Sequence, residues 1–290
     1  MEYLIHILVL AGIYVVLAIS LDLLAGQTGI LSIAQAAFFG VGTYTSVLLA
    51  THFGAQFVLW TLAGMGAAIL VSAIVSIPSL RLHDDYFVIA TFGFQIILSS
   101  VFNNWTNLTR GPLGIYDIPQ PSIFGLQINS PLRFLILVVI IAAAAYWLVR
   151  RISASPFGRV LRAIREDEVF TQSLGKATLK YKVIAFAISA ALTACAGSVY
   201  AHYITYVDPT SFNVMESVLI ISMVIIGGAG SRWGPLVGAL LLVALPEALR
   251  FIGLSSSTAP NVRQILYGTL LVIMLLVRPR GLVGGYDFGR

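Results

Sequence analysis

Three carboxylates fall inside apolar runs of this sequence: Asp22, Glu216 and Glu247. Hydrocarbon penalises an unpaired charge, so an acid within such a run is a candidate for proton or ion handling. A proton relay wants carboxylates near the middle of a run, and none of these sits there. Asp22 lies near the end of the first run and Glu216 near the start of a later one. Glu247 has Arg250 three residues on, the spacing of a local helical pair. The uncharged polar residues are more suggestive. Gln27, Ser32, Gln35, Thr43 and Tyr44 punctuate one apolar stretch and Gln95 interrupts another. They fit two uses: hydrogen bonds between helices, worth about 0.6 kcal/mol each on average, or the polar lining of a solute path. Gly26, Gly29, Gly40 and Gly42 flank the same stretch, where small residues let helices approach closely or let backbone turn beside a solute.

The motifs of soluble catalysis are missing. Leu174-Gly175-Lys176-Ala177 comes nearest to a phosphate-binding loop but lacks the earlier glycine and the hydroxyl residue. No H-E-x-x-H and no G-x-S-x-G occurs, and His6, His52, His83 and His202 are widely spaced, as befits interfacial residues rather than metal ligands. The single cysteine, Cys195, lies in an apolar run; it allows no disulfide within the chain and no cysteine-based metal site, and reads as a packing residue. The sequence therefore argues against an enzyme.

The elements that must position these residues are membrane spans. Hydrophobic residues make up 58% of 290 and charged ones 10%, against about 25% charged in an ordinary soluble domain. A soluble surface of this length could not be covered from such a composition, whereas a bilayer needs no polar cover. A crossing takes about 20 helical residues. Candidates run over 3–24, 30–50, 56–77, 86–101, 133–149, 183–203, 214–226, 235–249 and 264–277. The prediction is an all-α polytopic bundle of eight or nine spans, forming a single transmembrane domain over 1–290. The first run has no basic stretch before it and reads as a retained span rather than a signal peptide. The runs over 214–226 and 235–249 are short enough to form a re-entrant pair, buried in protein at membrane depth.

The net charge of +5 reads as topology rather than as a nucleic-acid surface, because most cations sit in the segment 150–182 and at the C-terminus. With that segment cytoplasmic, the N-terminus is outside, the C-terminus is cytoplasmic, and 102–132 is the one sizeable outer loop. Within the basic segment Ser155 suits a helix N-cap and Pro156 the first helical position. Phe157, Val160, Leu161 and Ile164 recur at one-face helical spacing, Arg159, Arg162, Arg165 and Glu166 take the other face, and Gly175 is a natural stop. One or two amphipathic helices on the cytoplasmic surface follow. They serve either as a charged surface satisfying the positive-inside rule or as a docking site for a cytoplasmic partner.

Five stretches resemble the LivM-type permeases, membrane subunits of bacterial branched-chain amino acid ABC importers. They are Leu21 through Tyr44, Arg110-Gly111-Pro112-Leu113-Gly114-Ile115, Phe157 through Glu166, Gly227-Gly228-Ala229-Gly230-Ser231-Arg232-Trp233-Gly234-Pro235 and its continuation to Ala239, and Arg278-Pro279-Arg280-Gly281-Leu282. The resemblance covers nearly the whole chain in order. It departs at Ala34-Gln35, where the family often has glycine before a histidine or glutamine, and at Arg232, where an apolar residue is frequent.

The resemblance implies a permease subunit in the bacterial inner membrane. It would move branched-chain or related amino acids, with urea and small aromatic acids as solutes of relatives. Implied partners are a second, LivH-type permease, two cytoplasmic ATPase subunits and a periplasmic solute-binding protein. ATP and Mg would be held by the ATPases and no cofactor or metal by this chain. Arg159, Arg162, Arg165, Glu166, Asp167 and Glu168 would contact the ATPases. Gln27, Ser32, Gln35, Tyr44 and Gln95 are the candidates for the solute path. Gly227, Gly228, Gly230, Trp233, Gly234 and Pro235 carry the family signature in a structural role. The competing readings are a stand-alone secondary carrier or channel for a small polar solute, and a ribose-type permease, against which the 227–239 signature argues.

Overall fold

A computed structural model describes residues 2–54, 56–80, 84–123, 126–128, 130–250, 259–278 and 280–284. The chain is an all-α bundle. Its helices are α1 (Glu2–Thr28), α2 (Gln35–Phe53), α3 (Phe57–Ser79), α4 (Asp84–Asn104), α5 (Thr106–Thr109), α6 (Pro131–Ala154), α7 (Pro156–Glu166), α8 (Glu168–Ser173), α9 (Thr178–Ile204), α10 (Val214–Gly227), α11 (Gly234–Arg250) and α12 (Ala259–Val277). Among the described residues six of these, α1, α2, α3, α4, α6 and α9, are long and apolar enough to cross a bilayer. The strands are two-residue pairs, Ile115–Tyr116 with Tyr206–Val207 and Ser122–Ile123 with Leu126–Gln127.

α1, α2 and α9 form the centre. They carry the most completely buried side chains, among them Leu17, Leu21, Phe38, Phe186 and Ala194. α3, α4 and α6 pack around them and turn Ile74, Ile97, Ile140 and other large apolar side chains outward, as helices facing hydrocarbon do. Two small-residue contacts set the central spacing. A β-carbon on Gly42 would collide with the Ala194 backbone, and one on Gly197 with the Phe39 carbonyl. Their absence lets α2 and α9 pack backbone to backbone.

The expected second span, 30–50, is not continuous. α1 extends to Thr28, residues 29–34 are irregular, and α2 starts at Gln35. Gly29 takes a left-handed φ of 75°, which ends α1 and redirects the chain. The side chain of Gln35 reaches Ser20, eight residues before the end of α1, so α2 begins beside α1 about 12 Å back from its end. Irregular backbone at that depth survives because it is enclosed by protein. Ile33 N–H donates to Thr91 Oγ1 (3.2 Å) and Ala34 N–H to Ser32 Oγ (3.3 Å).

The two ends of the bundle sort as the charge pattern predicts. At one end His6 stacks on Tyr203, Phe134 packs on Tyr203, and Ile115–Tyr116 pairs with Tyr206–Val207. At the other, basic end, α7 lies against the ends of α1 and α6, and the 228–233 turn reaches α1. The basic segment is shorter than 150–182, because α6 runs to Ala154 and α9 starts at Thr178. α10, at 14 residues, spans about 21 Å, less than a hydrocarbon core of about 30 Å. Its last carbonyls are covered by the C-terminal segment: Leu282 N–H donates to Ile226 (2.8 Å) and Val283 N–H to Gly227 (3.1 Å). His83 and Pro279 lie outside the described residues, as do the side chains of Glu247 and Arg250.

Candidate functional site

Two polar constellations stand out in this apolar bundle. The first is a buried seam where α2 begins. Gln35 Nε2 donates to Ser189 Oγ (3.2 Å) and Ser20 Oγ (3.5 Å), and its Oε1 accepts from Thr193 Oγ1 (3.2 Å). One glutamine thus joins α1, α2 and α9. Gln95 does the same for α2, α4 and α10. Its Oε1 accepts from Ala37 N–H (2.6 Å) and Ser217 Oγ (3.3 Å), while its Nε2 donates to the Phe212 carbonyl (2.8 Å) and Ser99 Oγ (3.2 Å). Ala36 N–H donates to Ser217 Oγ (2.9 Å). The first-turn amides of α2, which a helix leaves unsatisfied by itself, are therefore met by side chains of α4 and α10.

The seam continues along α2. Tyr44 is buried between Phe102 (ring centroids 4.9 Å) and Phe212 (5.7 Å). The hydroxyls of Thr43, Tyr44 and Ser46 are buried with no hydrogen-bond partner among the described residues. Phe212 is brought inside by the short 3-10 turn Pro209–Phe212, in which Asp208 Oδ1 accepts from Ser211 N–H (3.1 Å). Asn213 then caps α10 by accepting from Glu216 N–H (3.0 Å). Glu216 accepts from Tyr14 Oη (2.5 Å), so its carboxylate is tied to α1 at the start of α10.

The second constellation is at the basic end. Ser155 caps α7 as expected, accepting from Gly158 N–H (3.3 Å), and Gly175 has φ 77° just beyond α8. Leu161 and Ile164 are buried, as their spacing predicts. The polar face is divided, however. Arg159, Glu166 and Asp167 are exposed, whereas Arg162 and Arg165 turn inward. Arg162 Nη1 donates to Gln27 Oε1 (3.1 Å) and the Ser153 carbonyl (2.8 Å); Arg165 Nη1 donates to the Gly26 carbonyl (2.5 Å). Long side-chain stems let Arg165 reach a free carbonyl near the end of α1 and Arg162 one near the end of α6. Glu168 pairs with Lys182 of α9. Sequence periodicity missed Val169, Phe170 and Leu174, which are large, apolar and exposed beside this acidic turn; their placement after Asp167-Glu168 was the available signal.

The 227–235 turn joins the same end. Asp22 Oδ1 accepts from Gly230 N–H (2.6 Å). Gly230 has φ 73°, and a β-carbon on Gly227 or Gly234 would strike the neighbouring backbone. Trp233 stacks on Tyr146 of α6 (5.5 Å), and Pro235 lies in the first turn of α11. Of the path candidates, Gln35, Gln95 and Tyr44 meet in or beside the seam, Ser32 lies in the irregular segment leading to it, and Gln27 belongs to the basic end.

The sequence pattern described as branched-chain amino acid transport system, permease component, matches residues 3–275. The chain is 33% identical to the high-affinity branched-chain amino acid transport system permease protein LivM of Escherichia coli, over 96% of this chain and 69% of that protein. It is 27% identical to a probable branched-chain amino acid transport permease protein LivM of Methanocaldococcus jannaschii, over 96% and 92%. From the same organism, a probable LivH permease is 24% identical over 96% and 90%.

Proposed function

The chain belongs to the family of branched-chain amino acid transport permease components, and from that premise we propose that it moves branched-chain or related amino acids across a bacterial inner membrane as half of an ABC importer's pore. The other half is a LivH-type permease, which is itself similar to this chain. A periplasmic binding protein delivers solute to the outer face. ATP and Mg are bound and spent on two cytoplasmic ATPase subunits, and this chain performs no catalysis of its own.

The observation that carries the reading is the build of the basic end. α7 and α8 turn one set of side chains outward, Arg159, Glu166, Asp167, Val169, Phe170 and Leu174. A second set, Arg162 and Arg165, grips the end of α1. A partner that moves the outer face therefore pulls on α1, and through Asp22 on the 228–233 turn. Exposed aromatic and apolar residues beside mixed charges make a surface suited to protein contact. The seam supplies the element that responds. α2 begins inside the layer, held by Gln35 and Gln95. Its Thr43, Tyr44 and Ser46 hydroxyls, without a partner among the described residues, are groups that a polar solute or a rearranged helix can satisfy.

The test is affinity purification of the tagged chain from its native membrane in mild detergent, with mass spectrometry of the copurified subunits. A second permease and two ATPases are expected. Phe170→Asp should lose the ATPases and ATP-driven uptake while the two permeases stay together. Recovery of the chain alone, still transporting in liposomes without ATP, overturns the importer reading in favour of a carrier.

A further inference from the structure

We propose that the hollow at the basic end, between α1, α6, α7 and the 228–233 turn, binds the headgroup of an anionic phospholipid from the adjacent leaflet. The cavity measures about 280 Å³ and is lined on its polar side by Asp22, Gln27, Arg150, Ser153, Arg162 and Arg232. That is near the lower end of small-ligand pockets, about 300 Å³.

Its charge is in surplus. Three guanidinium groups face one carboxylate, and Asp22 already accepts from Gly230 N–H. The ion pairs among the described residues are Arg165–Glu166 and Lys182–Glu168, so none of the three lining arginines has an acidic partner there. Two of them are held in position. Arg162 is fixed by Gln27 and the Ser153 carbonyl, and Arg150 donates to Tyr146 Oη (3.0 Å). Each of these bonds uses one terminal nitrogen, and a guanidinium offers five N–H groups in a fork that matches phosphate oxygens.

The setting points to lipid rather than to a soluble anion. The cavity adjoins a shallower hollow that shares Tyr146, Arg150 and Ala154 with it and adds Trp147, Arg151 and Trp233. Trp147 is 64% exposed and Trp233 53%, and indole rings favour the boundary between headgroups and hydrocarbon. About two turns back along α6 from Trp147, Val139 and Ile140 are also exposed, giving acyl chains an apolar track below the headgroup. Basic pockets between spans at this face are suited to anionic headgroups. The proposal needs only a bilayer around the chain, so its failure leaves the importer reading untouched.

The experiment uses the full chain with its copurifying subunits, delipidated in detergent, and follows the unfolding midpoint as lipid is titrated in. Dioleoylphosphatidylglycerol should act at roughly tenfold lower concentration than dioleoylphosphatidylcholine, the order expected for a few cations near an anionic headgroup. The Arg150→Gln/Arg232→Gln pair should abolish that preference, and Lys180→Gln, an exposed cation of the same end outside the hollow, should keep it. Equal action of the two lipids, or a preference that survives the paired substitution, overturns the proposal. So does free glycerol 3-phosphate acting as strongly as phosphatidylglycerol, which would make this a soluble-anion site. Should the pair fail to fold, native mass spectrometry of the unaltered complex decides: retained phosphatidylglycerol over phosphatidylcholine at equal concentration supports the site, and equal retention overturns it.

Discussion

Asp22 shows how a charged residue in a membrane span can be structural. Its Oδ1 accepts the Gly230 amide at 2.6 Å, so it acts as a cap for the 228–233 turn. That role needs an acceptor, not a charge. Asp22→Asn should therefore keep uptake within about twofold, whereas Asp22→Val leaves a buried N–H unmet at a cost of about 1–3 kcal/mol. Uptake assays with thermal unfolding in detergent separate the two; loss of uptake in the asparagine variant would mean that the charge itself matters. From the sequence, Asp22 was legible as an unusual residue near a helix end. Its partner was not, because 208 residues separate the pair and glycine amides carry no pattern. Gln35 and Gln95 were likewise legible as interruptions with two possible uses. The structure gives both of them interhelical bonds, and hydrogen-bond partners of that kind depend on packing that a single sequence does not display. Arg162 and Arg165 were assigned to the charged face by periodicity. They turn inward because acceptors lie within reach of their long side chains: the Gln27 amide and the Ser153 carbonyl for Arg162, the Gly26 carbonyl near the end of α1 for Arg165.

The elements themselves were largely readable, since 20-residue apolar runs bounded by turn formers leave few alternatives. The exception is instructive. Residues 30–50 look like one span because the stretch is apolar and small throughout, yet 29–34 are not helical. Apolarity reports burial, and buried irregular backbone is as apolar as buried helix. The cue was Gly29 followed by Ser32, a turn former and a residue able to satisfy a local amide. The placement of α2 then depends on close contact with α9. Gly42→Val should collapse the yield of folded protein, because the added side chain meets the Ala194 backbone rather than a movable group. Gly66→Ala, on α3 with nothing within 4 Å of the new carbon, should be neutral or slightly stabilising. Size-exclusion profiles of the two variants make the comparison, and a well-folded Gly42→Val would show that α2 can move away from α9 at little cost.

At the scale of the molecule, the packing shows which segments share an end, and the cations are the argument for which end faces the cytoplasm. The basic helices α7 and α8, the end of α1 and the 228–233 turn are joined by Arg162, Arg165 and Asp22. The start of α1, the start of α6 and the end of α9 meet around Tyr203 at the opposite end. This pairing of ends does not depend on whether α10 and α11 cross fully, because a pair of short helices returns the chain to the side it left. Removing the single cysteine by Cys195→Ala provides a clean background for a labelling test. Thr210→Cys and Ser173→Cys then sample the two ends, both positions being exposed. An impermeant maleimide should label Thr210→Cys in intact cells and Ser173→Cys only after the inner membrane is opened. The opposite pattern would invert the bundle, set the arginines of α7 on the outer face against the positive-inside rule, and remove the surface on which a cytoplasmic ATPase could pull.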